Sequence, residues 1–179
     1  MKYWIAIFVL ALALAGCGRQ NVNLPGWAPK NPSSGFVRAA NALKSFPDGS
    51  DKAQDARLHQ ILVPAWEFLG TLGDDQISSL TNNKQLRLPY GSLTKAQQSL
   101  ISSFFETYRQ TMKNVPPSDD WPSDELAEIV KLGAKQDLSN VDIQLDIRAN
   151  NLVRFACVIQ YPNGSESKPL PLIGLGYMR

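Results

Sequence analysis

The chain has 179 residues, with 18 Lys and Arg against 16 Asp and Glu, one His and two Cys, and a formal net charge of +2. This length suits one ordinary domain that can bury a real core. The charge is too small to favour nucleic acid or a polybasic membrane surface as a partner, and a hydrophobic share of 44% excludes a wholly disordered chain. With one His and one cysteine beyond the N-terminal region, a zinc site built only from His and Cys is excluded.

The N-terminus has the pattern of a secretory signal. Lys2 supplies a positive charge, and an uninterrupted apolar run follows over residues 3–14. The run is too short and begins too early for a membrane span, so residues 1–16 are predicted to be a signal peptide that is removed.

The apolar run ends in Leu14-Ala15-Gly16-Cys17. These four residues resemble the lipobox of bacterial lipoproteins, whose cysteine is diacylated and becomes the new N-terminus. The resemblance implies that Cys17 carries diacylglycerol and palmitate and anchors an outward-facing protein in the cell envelope, since two or three acyl chains give stable anchoring. Gly18 stands where an Asp commonly retains such proteins in the inner membrane, so the outer membrane is favoured if the cell is Gram-negative.

The sequence divides the mature chain into a tether and a domain. Residues 17–32 contain the cysteine followed by Gly, Asn, Gln and three prolines with little periodicity, which predicts a lipidated and flexible tether. Residues 33–179 are predicted to form a single α+β domain, in which N-terminal helices pack on a C-terminal antiparallel β-meander. The domain is expected to be helical over 33–115 and mainly β over 128–179.

Two helices are predicted in the first part of the domain. Ser33 or Ser34 can cap the first, which is expected to run through Ser45. The second is expected to start at Asp51 or Asp55 and to end at Gly70 and Gly73. Pro64 predicts a kink or a restart within it.

Two similar motifs, at residues 72–76 and 93–97, are each predicted to start a further helix. In the second motif, Thr94 and Gln97 form a capping box, whereas Gly73 in the first motif lacks the hydroxyl. The first helix is expected to end near Leu80. The second is expected to be the best helix of the chain and to end before Pro116.

The same motifs resemble the L-T-x-x-Q motifs of periplasmic stress proteins. The matching residues are Leu93, Thr94 and Gln97, and then Leu72 and Gln76. This resemblance implies an alternative function as a chaperone-like or envelope-stress protein. Those proteins are helical throughout, whereas the C-terminal third of this chain is predicted to be β.

Two segments after the motifs have weaker patterns. Gln85–Pro89 is short and alternating, and is predicted to be an extended connection at most. Residues 126–134 fit a helix in part and a strand in part, and a helical start followed by a strand is favoured.

The C-terminal third predicts three strands in antiparallel order. Residues 141, 143, 145 and 147 are apolar and share one face, while Asp142 and Asp146 belong to the opposite face, which is expected to be solvated. A three-residue loop over 149–151, with an Asn in the left-handed conformation, keeps the apolar faces together by pairing Ile147 with Val153. The same register pairs Leu145 with Phe155 and Ile143 with Cys157.

The third strand is predicted to follow a two-residue Asn163-Gly164 turn. That turn would pair Cys157 with Leu170 and Phe155 with Leu172. Pro169 and Pro171 would make this strand an edge. Its second half, residues 173–178, is unprotected by proline or charge, so it is expected to be covered either by the N-terminal helices or by a second chain.

Several residues could carry chemistry. Ser92 and Lys95 match S-x-x-K, the nucleophile motif of penicillin-binding proteins and serine β-lactamases, and suggest a small serine hydrolase as a second alternative. The motif has only two fixed residues, and no credible partner motif accompanies it. His59 stands without a G-x-S-x-G motif, which speaks against a catalytic triad. Cys157 lies in an apolar strand and is interpreted as a small buried hydrophobe, the alternative being a reactive thiol.

The remaining polar and aromatic candidates have structural explanations. Asp74 and Asp75 fall in the first turn of a helix, where the helix dipole favours anions. Asp119 and Asp120 lie in a predicted loop. Three aromatic residues, Phe104, Phe105 and Tyr108, have the helical spacing of a core stripe.

The sequence therefore predicts a cell-envelope lipoprotein with a non-catalytic binding or structural role. Cys17, as the lipidation site, is the one predicted site residue; no catalytic, cofactor or metal residue is expected, and no cofactor. The expected partners are the membrane, through the lipid, and a protein or the cell wall.

Overall fold

A computed structural model of the chain describes residues 23–46, 56–112 and 138–179. The predicted α+β fold, with helices preceding an antiparallel sheet, is confirmed. Among the described helices, none combines the length and the apolar character needed to cross a bilayer.

Four α-helices are described. They are α1 (Ser34–Ala42), α2 (Ala56–Gly70), α3 (Asp74–Asn83) and α4 (Lys95–Met112). A 3₁₀ turn, Tyr90–Ser92, precedes α4. Ser33 is the N-cap of α1, as the sequence allows, because its Oγ accepts a hydrogen bond of 3.0 Å from the amide of Phe36.

Five strands form one antiparallel sheet. They are β1 (Leu43–Lys44), β2 (Gln85–Pro89), β3 (Val141–Ile147), β4 (Leu152–Ile159) and β5 (Leu170–Met178). Their spatial order is β1-β5-β4-β3-β2, so the meander β3-β4-β5 forms the centre and the two strands from the helical part flank it. The helices cover one face of this sheet, and the core lies between the two layers; Phe155 of β4, for example, contacts Phe68 of α2 and Phe104 of α4.

The first hairpin, β3–β4, has the register that the sequence predicts. Ile147 pairs with Val153, and the pairs at Leu145 and Ile143 follow as expected. Arg148 and Leu152 close the loop through a 2.9 Å hydrogen bond, and Asn151 has the left-handed conformation, with φ of 62°. The period-two alternation and the loop length thus determine this pairing.

The second hairpin differs from the prediction in two respects. Tyr161 donates to the carbonyl of Ser165, so the turn has three residues, 162–164. Cys157 pairs with Leu170 as predicted, but Phe155 pairs with Ile173 and not with Leu172. Irregularities in β5 account for this shift, because each bulge adds one residue to one strand only.

The prediction that the third strand forms an edge is wrong for its C-terminal end. Leu43 pairs with Met178 and Lys44 with Tyr177, so β1 flanks β5. The predicted cover of residues 173–178 is therefore intramolecular at this end, and the element that supplies it is a short strand directly after α1.

Four further predictions are corrected in whole or in part. The first helix ends at Ala42 and not at Ser45, because the chain leaves it to pair with β5. Of the two outcomes expected at Pro64, a kink or a restart, the restart is absent, because α2 is continuous from Ala56 to Gly70. Gln85–Pro89 is a full strand, whose five residues all pair with β3. Helix α3 extends to Asn83, three residues beyond the predicted end.

The predicted tether is also too long. Leu24, Trp27 and Ala28 are partly buried against the hydrophobic core, although residues 17–32 were expected to be flexible throughout. Apolar burial explains the difference, since a tryptophan has a large surface to remove from water. Residues 1–22, which contain Cys17, and residues 113–137, which contain Asp119, Asp120 and the ambiguous 126–134 segment, lie outside the described residues.

Candidate functional site

The described residues contain two features that could serve a function beyond folding. The first is the Trp27 segment (Leu24–Ala28), which lies between the predicted anchor and α1. The second is a set of charged side chains on the sheet face opposite the helices, here called the outer-face cluster and made of Arg87, Asp142, Asp146, Arg154 and Glu166.

The Trp27 segment is attached through an aromatic cluster. The indole of Trp27 stacks on the His59 ring, with centroids 5.7 Å apart and an interplanar angle of 16°. It meets Trp66 edge to face at 5.0 Å and Phe36 edge to face at 5.8 Å. A turn precedes it, in which the amide of Ala28 donates to the carbonyl of Pro25 at 2.9 Å. Both edge-to-face contacts have favourable geometry for aromatic rings.

Trp66 connects this cluster to the sheet. Its Nε1 donates a buried hydrogen bond of 2.9 Å to the carbonyl oxygen of Leu175 in β5. The bond satisfies an indole donor in a fully buried side chain, as burial requires. Trp27 is therefore in contact with a residue that itself joins the helical layer to β5.

One half of the outer-face cluster is centred on Arg87. Its guanidinium donates to Asp142 at 2.7 Å and to the two oxygens of Glu166 at 3.2 and 2.6 Å. Gln160 donates to both carboxylates as well. The hydrogen bond from Arg87 holds the pKa of Glu166 below its ordinary value, and the hydrogen bond to Glu166 raises the pKa of Arg87.

The other half is centred on Asp146. Arg154, its direct neighbour across β3 and β4, donates to it at 2.7 Å through one terminal nitrogen and at 3.1 Å through Nε. Arg148 lies 3.8 Å away and Gln144 donates at 3.5 Å. The expectation that Asp142 and Asp146 point into solvent is wrong, because their side chains are only 14% and 11% exposed.

The chemistry of the outer-face cluster is that of a fixed surface. Its two arginines pair with three carboxylates, because Arg87 binds both Asp142 and Glu166, so most of the charge is neutralised within the cluster and a formal charge of −1 remains. Glu166, whose pKa is lowered, carries no proton to donate at neutral pH. Arg87 and Glu166, whose side chains are 31% and 52% exposed, can offer polar groups of fixed geometry to a partner.

The residues of the S-x-x-K motif are both exposed and form no hydrogen bond with each other within the described range 56–112. The hydroxyl of Ser92 donates to the carbonyl of Pro89 at 2.7 Å. That bond closes the 3₁₀ turn at the end of β2. The position therefore has a local structural explanation.

The two L-x-x-x-Q motifs are helix caps. In the second, the amide of Gln97 donates to Thr94 Oγ1 at 3.3 Å and the amide of Thr94 to Gln97 Oε1 at 3.0 Å, which confirms the capping box. The Gln97 side chain is buried, and its Nε2 also donates a hydrogen bond to Thr71 Oγ1 at 3.1 Å. In the first, only the bond from the amide of Gly73 to Gln76 is made.

The other candidates take structural positions. His59 lies half-buried against Trp27. Asp74 begins α3 and pairs with Arg38 at 2.9 Å. The three aromatic residues predicted as a core stripe, Phe104, Phe105 and Tyr108, are all buried, and burial raises the pKa of Tyr108. Cys157 is fully buried in β4, as predicted.

No group of three or more His, Cys, Asp or Glu side chains in residues 23–46, 56–112 and 138–179 is arranged to hold a metal ion. The outer-face cluster was not predicted from the sequence, although the predicted register places Asp146 beside Arg154. The packing of the Trp27 segment was not predicted either; its signal in the sequence is a tryptophan within a stretch of prolines and glycines.

Comparison with known proteins adds no relative. No family model matches the chain, and no curated protein and no solved structure is significantly similar to it.

Proposed function

We propose that this protein is a cell-envelope lipoprotein, anchored through Cys17, whose folded domain has a binding or structural role and no catalytic one. The observation that carries the proposal is the sequence of residues 2–17: a lysine, an apolar run and Leu-Ala-Gly-Cys at its end. Diacylation of the cysteine and an added palmitate would hold the domain at a membrane surface.

Two arrangements in the domain support the non-catalytic part of the proposal. Ser92, the candidate nucleophile, donates its hydroxyl to a backbone carbonyl. Each carboxylate of the outer-face cluster accepts a hydrogen bond from an arginine. A domain with these groups engaged suits contact with a protein or with the cell wall.

Metabolic labelling with palmitate tests the anchor. Cells expressing the full chain should incorporate label and retain the protein in the membrane fraction, while Cys17→Ser should lose both. The matched control is Cys157→Ala, which removes the other cysteine from a buried position and should keep both. Labelling or membrane retention of Cys17→Ser at the level of the unaltered chain contradicts the proposal.

The non-catalytic role has a separate test. A fluorescent penicillin should fail to label the unaltered protein, and Ser92→Ala should give the same result. Labelling that Ser92→Ala abolishes would establish the serine hydrolase instead. Cross-linking in intact cells, followed by mass spectrometry, then identifies the partner of the anchored domain.

A further inference from the structure

We propose that packing of the Trp27 segment shortens the lipid tether so far that the domain keeps one side toward the bilayer. The side that carries Trp27 and His59 faces the membrane, and the turn of the second hairpin, residues 161–166, is held away from it. This inference rests on the proposed anchoring through Cys17.

The reach of the tether carries the argument. Leu24 is the first described residue that packs against the core. It lies seven positions after Cys17, and a fully extended chain of seven Cα-to-Cα steps spans at most about 25 Å. A compact domain of this size is about 40 Å across. Because the tether is shorter than the domain, the far side of the domain cannot turn to the membrane while Leu24 stays attached.

Release of the segment would remove this restriction. The free tether would then extend to Ser33, the N-cap of α1. Sixteen residues reach up to about 55 Å, which exceeds the width of the domain. Packing of the Trp27 segment therefore decides whether the domain is oriented on the membrane or turns freely.

The contacts of Trp27 make the attachment specific. The indole has aromatic neighbours from α1 and α2, namely Phe36, His59 and Trp66. Trp66 in turn is bonded to Leu175 of β5. The attachment point is thus joined to the sheet and does not depend on the surface of one helix alone.

The topology places the second hairpin turn away from this point. From Leu175, β5 runs back to Leu170, and the chain continues to Glu166, which bridges to Gln160. Val153 of β4 pairs with Gly176, and Gln160 pairs with Glu166, so β4 spans this distance with about seven residues. At about 3.3 Å each they make a separation of roughly 20 Å. The Arg87–Glu166 half of the outer-face cluster lies at this distal end, where it faces away from the bilayer.

Energy transfer to a membrane acceptor tests the orientation. Full-length lipidated protein is reconstituted in vesicles that carry an acceptor dye on the lipid headgroup, and a donor dye is attached at Gln60→Cys or at Ser165→Cys. Both positions are exposed, and Gln60 is adjacent to His59. The native Cys157 is fully buried and stays unlabelled in the folded protein.

Three chains are compared. In the otherwise unaltered chain, transfer at position 60 should exceed transfer at position 165 by at least about twofold, given a height difference of roughly 20 Å. Trp27→Ala should bring the two values together. Insertion of a 20-residue Gly/Ser segment before Leu24 should do the same without changing any packed residue, so it tests the reach even if Trp27→Ala fails to fold.

Each result has a defined meaning. Equal transfer at both positions in the unaltered chain overturns the orientation, and so does an unequal transfer that persists in the insertion variant. Flotation with the vesicles is measured in parallel. Protein that does not float contradicts the proposed anchor itself, whereas floating protein with equal transfer contradicts only the proposed orientation of the domain.

Discussion

Gly70, at the end of α2, lies so close to the backbone of α1 that no side chain fits there. A Cβ at this residue would lie 1.8 Å from the carbonyl oxygen of Gly35 and 2.2 Å from its carbonyl carbon. The two helices α1 and α2 therefore touch through their backbones at a pair of glycines. We expect Gly70→Ala to destabilise the domain because the start of α1 must move away.

The size of the effect follows from this geometry. Ordinary contact requires about 3.5 Å, so α1 must shift by roughly 1.5 Å or more. Phe36, Ala39 and Ala40 are the buried residues of α1 and would lose packing in the shift. Overpacking of this kind costs about 1–3 kcal/mol, and a gain of about 0.5–1 kcal/mol from replacing glycine in a helix offsets part of it. Because the clash is with backbone atoms, the cost lies at the upper end of this range, and the expected net loss is about 2 kcal/mol, equal to about 4–8 °C in Tm for a domain of this size.

Two matched variants isolate the cause. Gly91→Ala places a methyl group where no atom lies within 4 Å, and Gly35→Ala meets its nearest atom, the carbonyl oxygen of Glu67, at 3.4 Å. Both should change the free energy of unfolding by less than about 1 kcal/mol. The measurement is urea unfolding of the domain with the slope m checked for constancy. If Gly70→Ala unfolds at the same urea concentration as Gly91→Ala, the close approach of the two backbones is refuted.

Three other expectations follow from single contacts. Trp66→Phe removes the indole donor and leaves a buried carbonyl of β5 without its hydrogen bond. We expect the free energy of unfolding to fall by about 1–3 kcal/mol and the amides of β5 to exchange faster. An unchanged unfolding midpoint would contradict this expectation. Gln97→Ala removes a buried side chain that caps α4 and also donates a hydrogen bond to Thr71 after α2. It should lower the free energy of unfolding by about 1–2 kcal/mol. Urea unfolding should show a clearly smaller loss for the same change at the part-exposed Gln76, and equal losses would contradict this expectation. The pKa of Glu166 lies below its ordinary value of 4.5, first because Arg87 donates a hydrogen bond to it. The contribution of this pair to stability is therefore present above that value and is lost as the pH falls through the lowered pKa. Glu166→Gln should lose less stability than the unaltered domain as the pH is lowered from about 5, just above the unfolded pKa, to about 3, and parallel pH profiles would show that the pair contributes nothing.

Local patterns in the sequence determined much of the fold. The pairing of Ile147 with Val153 was predictable because strand alternation has a period of two and the loop length must keep both apolar faces on one side. The capping box of Thr94 and Gln97 was predictable for the same kind of reason, since its hydrogen bonds lie within four residues. The general α+β arrangement was predictable because the apolar residues change along the chain from a helical spacing of 3.6 residues to a strand spacing of two.

Contacts between distant segments were decided only by the tertiary structure. Leu43 ends an apolar helical pattern, yet it pairs with Met178 at the other end of the domain, because an unpaired edge of β5 offers hydrogen bonds to it. Arg87 stood in a segment without a strong pattern, and only the β2–β3 pairing brings it to Asp142.

The same reason applies to Trp27. Its neighbours Phe36, His59 and Trp66 come from two helices, and no periodicity within residues 17–32 could indicate that these rings meet. A pattern in the sequence can show which side of an element is apolar, since this depends on spacing alone. What covers that side depends on how the assembled elements exclude water, and this is a property of the packed domain.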